Sequence, residues 1–192
     1  MTVSTVNTSH SLAVGPAGRA MAQPMEDSLV EALQQHLTME RQASAMYFAF
    51  AIWFSERELG GFSNFFKNES TSEQQHASGF ADYLIARGQT VLLESIDAPR
   101  QNWNSPEEIM EASFLMESEV TTSLQQLYAT AERVSDVRTT VFLDPLVENQ
   151  VTSENEFAYL VGRVRYSQNQ AAAMLIIDNE LREGQHSPPK LA

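Results

Sequence analysis

The sequence predicts an all-α protein: a four-helix bundle with one long crossover between its second and third helices and a short fifth helix at the C-terminus. Apolar residues recur every three or four positions through four long stretches, which is the period of amphipathic helices. Short turns separate the first stretch from the second and the third from the fourth, whereas about sixteen residues join the second to the third. A single long connection in the middle is one of the known topologies of four-helix bundles.

The composition limits the possible chemistry. The 192 residues suit one domain, and the absence of cysteine means that any metal must be held by oxygen and imidazole. A net charge of -13 argues against nucleic-acid and anionic membrane partners and favours cations. No apolar run approaches the ~20 residues that span a bilayer. We therefore expect a soluble, cytoplasmic protein.

The chain divides into an arm, one domain and a tail. Residues 1–26 are rich in small and polar residues without a sustained apolar period, so we predict a flexible N-terminal arm. Residues 27–183 are predicted to form the helical domain. Residues 184–192, which contain glycine and prolines, are predicted to be a flexible tail.

The first two helices are delimited by local signals. Helix A is expected to begin with Asp27 or Ser28 as its N-cap and to be stopped by the Gly60-Gly61 pair. Helix B follows at once and is expected to end at Arg87-Gly88, a cationic residue followed by glycine. The short turn makes these two helices antiparallel.

Three more helices are expected after the crossover. Helix C opens with Ser105 as N-cap, Pro106 at the first helical position and an acidic first turn. Pro145 in helix D is accepted either as an interior kink or as a first-turn proline after an irregular start. The expected ranges of helices C, D and E are 105 to about 134, 138–165 and 171–182.

Polar residues on the apolar stripes carry the chemical signal. Taken singly, a glutamate there is more often a boundary residue or a paired ion, a histidine a satisfied core residue, and a tyrosine a packing residue. However, all four helices place oxygen donors near their midpoints, and no basic residue shares those parts of the stripes. Cations must therefore balance the carboxylates, and we predict a metal site in which Glu73 bridges two divalent ions. The polar residues on the stripes are Glu40, Glu69, Glu73, His76, Glu117, Gln150 and Glu154.

From about Leu29 to Arg182 the sequence resembles the ferritin family. The resemblance is carried by Glu40 with Tyr47 seven residues later, by Glu73-x-x-His76, by Glu117 and by Gln150 thirty-three residues after it. It implies iron storage and detoxification in a ferritin-like bundle, where a di-iron ferroxidase centre oxidises Fe(II) to Fe(III) with O2. It also implies a homo-oligomeric cage of twenty-four copies in which ferric mineral is deposited.

The resemblance assigns roles to the ligands of the two irons. Glu40, Glu73 and His76 would hold the first iron. Glu73 and Glu117 would hold the second, with Gln150 close to the second metal or its water.

Three further residues take roles from the same resemblance. Tyr47 matches the family's tyrosine beside the centre, which can take part in electron transfer. Glu69 resembles the extra carboxylate of a third or transit iron site in prokaryotic ferritins. The arm and the segments 97–103 and 142–146 look like ferritins of marine cyanobacteria, in which the aspartate matching Asp144 helps to pass iron inward.

Departures from the family pattern bear on two features, the binding of haem and the ligands of the second iron. Helix D carries Gln150-x-x-Ser153 in place of a second Glu-x-x-His, and Gln74 follows Glu73 where bacterioferritins have a haem-binding methionine, so haem is not expected. Other bacterial ferritins carry an acid at the position of Ser153, close to the second iron. Glu154, one position further, could substitute for that acid as a ligand of the second iron. Two alternatives stay open: a substrate-oxidising di-iron carboxylate enzyme, and a non-catalytic acidic helical assembly protein.

Overall fold

Five α-helices and a small β-hairpin make up the fold in a computed structural model, which describes residues 12–168 and 170–188. Strands β1 and β2 pair antiparallel, and α1 to α4 form the bundle, with α5 packed across one end against α2 and α4. The all-α fold class, the long crossover and the short fifth helix are thereby confirmed. The elements are β1 (Ala13–Val14), β2 (Ala20–Met21), α1 (Asp27–Ser55), α2 (Gly60–Ala86), α3 (Pro106–Arg133), α4 (Val137–Ser167) and α5 (Ala171–Glu183).

The boundary between α1 and α2 differs from the prediction. Helix α1 already ends at Ser55, and Gly60 begins α2 instead of stopping α1. Gly61 allows close packing, because a Cβ atom there would lie 1.7 Å from the backbone oxygen of Asp178 in α5. The predicted N-cap of α1 was also wrong, since that position is occupied by Glu26 without a side-chain capping bond.

The other helix ends follow their local signals. Ser105 caps α3, its hydroxyl accepting a hydrogen bond of 3.2 Å from the backbone N–H of Glu108. Helix α2 is followed by Gly88 with a φ of 79°, a left-handed conformation that glycine adopts without strain. Pro145 lies inside α4, which confirms the interior position rather than the first-turn alternative.

The residues before α1 contain local structure that the sequence did not indicate. The β1–β2 hairpin packs against the end of α2, and a Cβ atom at Gly15 would lie 2.0 Å from the backbone oxygen of Gly88. The rest of the predicted arm, residues 1–11, and the end of the predicted tail, residues 189–192, lie outside the described residues.

The crossover is fastened to α1 by two glutamine side chains. Gln34 donates to the backbone oxygen of Thr90 (3.1 Å) and accepts from the N–H of Leu92 (2.8 Å). Gln42 makes the same two-way contact with Asp97, donating at 3.1 Å and accepting at 2.7 Å. These bonds satisfy backbone groups of a segment that has no regular secondary structure.

The apolar core consists of two clusters. One contains Phe54, Phe66 and Phe157 and lies towards the α1–α2 turn. The other contains Leu33 and Phe80 and lies towards the opposite end of the bundle. On each of the four long helices a stretch with polar residues separates the two clusters. In the described part of the chain, no helix is both long enough and apolar enough to cross a membrane.

Candidate metal centre

The polar layer between the apolar clusters is built from all four helices of the bundle. Its carboxylates and amide are almost fully buried, with exposed fractions of 3% for Glu40, 5% for Glu73, 4% for Glu117 and 9% for Gln150. Burying ionised carboxylates is expensive unless an opposite charge or hydrogen bonds compensate. The layer therefore requires protons or cations.

Three side chains of this layer lie close enough together to bind one metal ion. Glu40, Glu73 and His76 each offer a ligand atom, and these atoms lie within 4.8 Å of one another. Nδ1 of His76 is 3.0 Å from Oε2 of Glu73 and 4.0 Å from Oε2 of Glu40. The His76 side chain is 43% exposed, so this corner of the layer is open to solvent.

Glu117 stands beside this group and is held from two sides. The hydroxyl of Tyr47 donates a short hydrogen bond to Oε1 of Glu117. The Gln150 amide donates to Oε2 at 2.8 Å and to the backbone oxygen of Glu117 at 3.1 Å. Tyr47 itself is fully buried and stacks between Phe66 and Phe157, with ring centroids 5.8 and 5.7 Å away.

The protonation of the layer reflects its burial. Burial raises the pKa of Glu73 to about 7 and also raises the pKa values of Glu40 and Glu117. Glu117 adds to the rise at Glu40, since a second negative charge disfavours ionisation. The hydrogen bond to Glu73 raises the pKa of His76 to about 9, although burial opposes this. A metal ion would replace these protons.

Three other predicted site residues lie further out. Glu69 is half-buried, and burial followed by the charge of Glu156 raises its pKa to about 8. Glu154 accepts a short hydrogen bond from the Thr121 hydroxyl. Asp144 is exposed and accepts a hydrogen bond of 3.0 Å from the Tyr128 hydroxyl. None of these three belongs to the group of ligand atoms within 4.8 Å, among the residues that the structure describes.

One residue of the layer, His36, was not predicted from the sequence. It is 1% exposed, and its Nε2 lies 2.9 Å from Oε1 of Glu40. Burial lowers the pKa of His36 to about 4, so the ring is neutral at neutral pH. The available signal was its position one helical turn before Glu40 on the same stripe.

Comparison with known proteins places the chain in a family. The profile described as "Ferritin-like domain" matches residues 30–166. The Ferritin-1 heavy chain of Schistosoma mansoni is 34% identical over 138 residues, which cover 69% of this chain and 80% of that protein. A bacterial non-heme ferritin of Bacteroides fragilis (strain 638R) is 27% identical over 157 residues, which cover 82% of this chain and 98% of that protein.

Solved structures agree with the sequence relatives. An open pore ferritin from the hyperthermophilic archaeon Archaeoglobus fulgidus superposes with a TM-score of 0.80 and 29% identity, covering 82% of this chain and 96% of that one. The particular likeness to ferritins of marine cyanobacteria stays a prediction. The family match, the relatives and the buried carboxylate layer agree with one another, and the chain therefore belongs to the ferritin family.

Proposed function

We propose that this protein stores and detoxifies iron, and that its buried layer is a di-iron ferroxidase centre at which Fe(II) is the substrate. The observation that carries the proposal is the group formed by Glu40, Glu73 and His76, whose ligand atoms lie within 4.8 Å of one another between two apolar clusters. Oxygen and imidazole donors suit iron, and the excess of buried acids supplies negative charge for it.

The ligand sets follow from the residues and from the family resemblance. The first Fe(II) binds Glu40, Glu73 and His76, and the second binds Glu73 and Glu117. Gln150, which donates to Glu117, orients that carboxylate or a water of the second iron. Glu69 is proposed as a third, transit site, Glu154 as a substitute at the second iron for the acid that other bacterial ferritins carry at the position of Ser153, and Asp144 as a step on the route of iron.

The chemistry is an electron transfer from paired metals to oxygen. Two Fe(II) ions supply two electrons, which together with two protons bring one O2 to the oxidation level of hydrogen peroxide. Anionic ligands favour Fe(III) over Fe(II), so the layer makes this oxidation easier. Tyr47, in contact with Glu117, is placed to take part in electron transfer at the second iron.

We further propose that copies of this chain assemble into a cage that holds the ferric mineral, with the twenty-four subunits implied by the resemblance. Apolar side chains are exposed on several elements of the chain, and subunit contacts would cover them. Among them are Phe48, Leu92, Leu93, Leu175 and Ile176, which are 52% to 69% exposed. No haem is expected.

Fe(II) oxidation in two glutamine variants tests the proposed centre. Glu73→Gln and Glu117→Gln keep the size of the side chain but remove a metal ligand. We expect each to lower the initial rate of Fe(II) oxidation by at least about tenfold, since even residues that merely support metal ligands commonly matter that much. The measurement is O2 consumption and the near-ultraviolet absorbance of Fe(III) after adding a few Fe(II) per subunit.

Glu119→Gln is the matched control. It removes the same charge from the same helix two residues after Glu117, but from an exposed side chain, so we expect the parental rate. Equal rates in the parent and in all three variants would overturn the ferroxidase proposal. A parent no faster than buffer alone would do the same.

A further inference from the structure

His36 is a buried imidazole next to the metal centre that the proposed ligand sets leave unused. It lies on α1 one turn before Glu40, is 1% exposed, and its ring lies against Phe80 with the centroids 4.5 Å apart. A buried ring of this kind normally finds a hydrogen-bond partner for each of its two nitrogens. The identity of these partners decides which nitrogen carries the hydrogen.

Ser123 on α3 is the partner of the first nitrogen. Its Oγ lies 2.7 Å from Nδ1 of His36. Serine and threonine in a helix often donate their hydroxyl hydrogen to the carbonyl four residues earlier. Thr122, the residue before Ser123, does so at 2.9 Å. Within the described residues Ser123 makes no such bond, so its hydrogen is free for Nδ1. The neutral ring then carries its own hydrogen on Nε2.

Nε2 faces one of the two carboxylate oxygens of Glu40. It lies 2.9 Å from Oε1, yet among the described residues Nε2 makes no hydrogen bond in the metal-free protein. Contacts of this kind are often loose before the ligand binds and tighten afterwards. The other oxygen, Oε2, is buried, has no hydrogen-bond partner in the part of the chain that the structure describes, and lies 4.0 Å from Nδ1 of His76. The two oxygens of Glu40 therefore have different surroundings.

We propose that His36 is a positioning residue for Glu40: its Nε2–H holds Oε1, so that Oε2 is presented to the first iron. Ser123 fixes the hydrogen on Nε2 by donating to Nδ1. This inference rests on the proposed ferroxidase function and adds a supporting pair from α1 and α3 to it. Partners that orient metal ligands typically change metal affinity or activity 10–100-fold when they are removed, which sets the scale of the expected effect at about tenfold.

The test compares metal affinity with oxidation kinetics in the assembled protein. Co(II), titrated without oxygen and followed by visible absorption, reports the first site. We expect His36→Leu to weaken the first Co(II) about tenfold and to raise the Fe(II) concentration for half-maximal oxidation by a similar factor. The number of Co(II) ions bound at saturation should not change. His36→Gln, whose amide can donate to Oε1, should restore part of the affinity.

A second pair of variants tests the hydrogen on Nε2. Ser123→Ala should weaken Co(II) binding in the same direction but less, and should have no further effect when His36→Leu is already present. Thr122→Ala is its control, because that hydroxyl is exposed and bonded to its own helix. We expect it to leave Co(II) affinity unchanged.

Each outcome supports or refutes the positioning role of His36. If His36→Leu is folded and binds Co(II) like the parent, the positioning role is refuted, while the ferroxidase proposal stands on the parent's activity. If His36→Leu binds one Co(II) fewer, His36 is a ligand, which also refutes it. If His36→Leu does not fold, equal affinities of Ser123→Ala and Thr122→Ala refute it and a weaker Ser123→Ala supports it. A parent that binds no Co(II) overturns both proposals.

Discussion

Glu73 carries a raised pKa and is, in the proposed centre, the ligand shared by both irons. Its pKa is raised to about 7 by burial, and the neighbouring His76 has a pKa raised to about 9 by the hydrogen bond between them. Near neutral pH the iron-free protein therefore holds protons at positions where Fe(II) would bind. Metal binding must release them, which couples the affinity for iron to pH.

A pH series on iron-free protein tests the raised pKa of Glu73. Below its ordinary value of 4.5 the carboxyl is protonated in both the folded and the unfolded state. As the pH rises from 4.5 through 7, the folded state retains a proton that the unfolded state has lost, so stability decreases. Glu73→Gln cannot titrate. We expect its free energy of unfolding, relative to the parent, to increase from pH 5 to pH 8 by an amount on the order of 2 kcal/mol, measured as a growing difference between the two melting temperatures. A constant difference would contradict the raised pKa.

At the scale of residues, most of the polar layer could be predicted from the sequence, but the buried His36 and its partner Ser123 could not. Glu40, Glu73 and Glu117 were visible because each interrupts an apolar stripe of known period. His36 interrupts the same stripe as Glu40, yet a single histidine there is more often an ordinary core residue. Its partner Ser123 lies 87 positions away, and only the fold brings the two side chains together.

At the scale of elements, α5 packs across one end of the bundle, and one of its carboxylates caps the start of α2. Asp178 is buried, and its Oδ1 accepts hydrogen bonds from the backbone N–H groups of Gly61 (2.7 Å) and Phe62 (3.0 Å). Leu59, the residue before α2, provides no side-chain cap of its own. The start of α2 is thus capped by another helix. Because this cap is distant in the sequence, the local residues did not show that Gly60 begins α2 and does not end α1.

Removal of the Asp178 carboxylate should weaken the end of the bundle. We expect Asp178→Ala to lower the free energy of unfolding by about 1–2 kcal/mol, since it leaves two buried N–H groups at a helix start without acceptors. Thermal or urea unfolding measures the effect. Asn179→Ala, at the exposed neighbouring position, is the control and should change stability little. Equal stability of the two variants would show that α2 does not need this cap.

At the scale of the whole molecule, the polar layer divides the core into two apolar clusters. The period of the apolar residues predicted polar side chains near the midpoint of every long helix. It could not show how closely the acids approach one another, because that depends on the packing of four helices. In the iron-free protein this layer holds raised pKa values and poorly paired atoms, so a bound metal should stabilise the entire bundle.

A redox-inert metal tests this stabilisation. By mass action, a ligand at 100 times its dissociation constant adds about 2.7 kcal/mol to the folded state, which in a chain of this size corresponds to a rise of about 5–10 °C in Tm. We expect Zn(II) to produce such a rise in the parent and a much smaller one in Glu73→Gln, measured by thermal unfolding. A rise of the same size in both proteins would place the stabilising metal elsewhere. Chelation should return the parent to its starting value.

The two glutamines that fasten the crossover have a consequence for how its length can vary. Gln34 and Gln42 lie eight positions apart on a rigid helix, and each pairs with both a donor and an acceptor of the crossover backbone. An inserted or deleted residue between Leu92 and Asp97 would move one of these backbone sites out of reach of its glutamine. Because these bonds are made to its backbone, the side chains of the crossover can be exchanged. The number of residues between its two bonded sites, however, is fixed by the spacing of the two glutamines on α1.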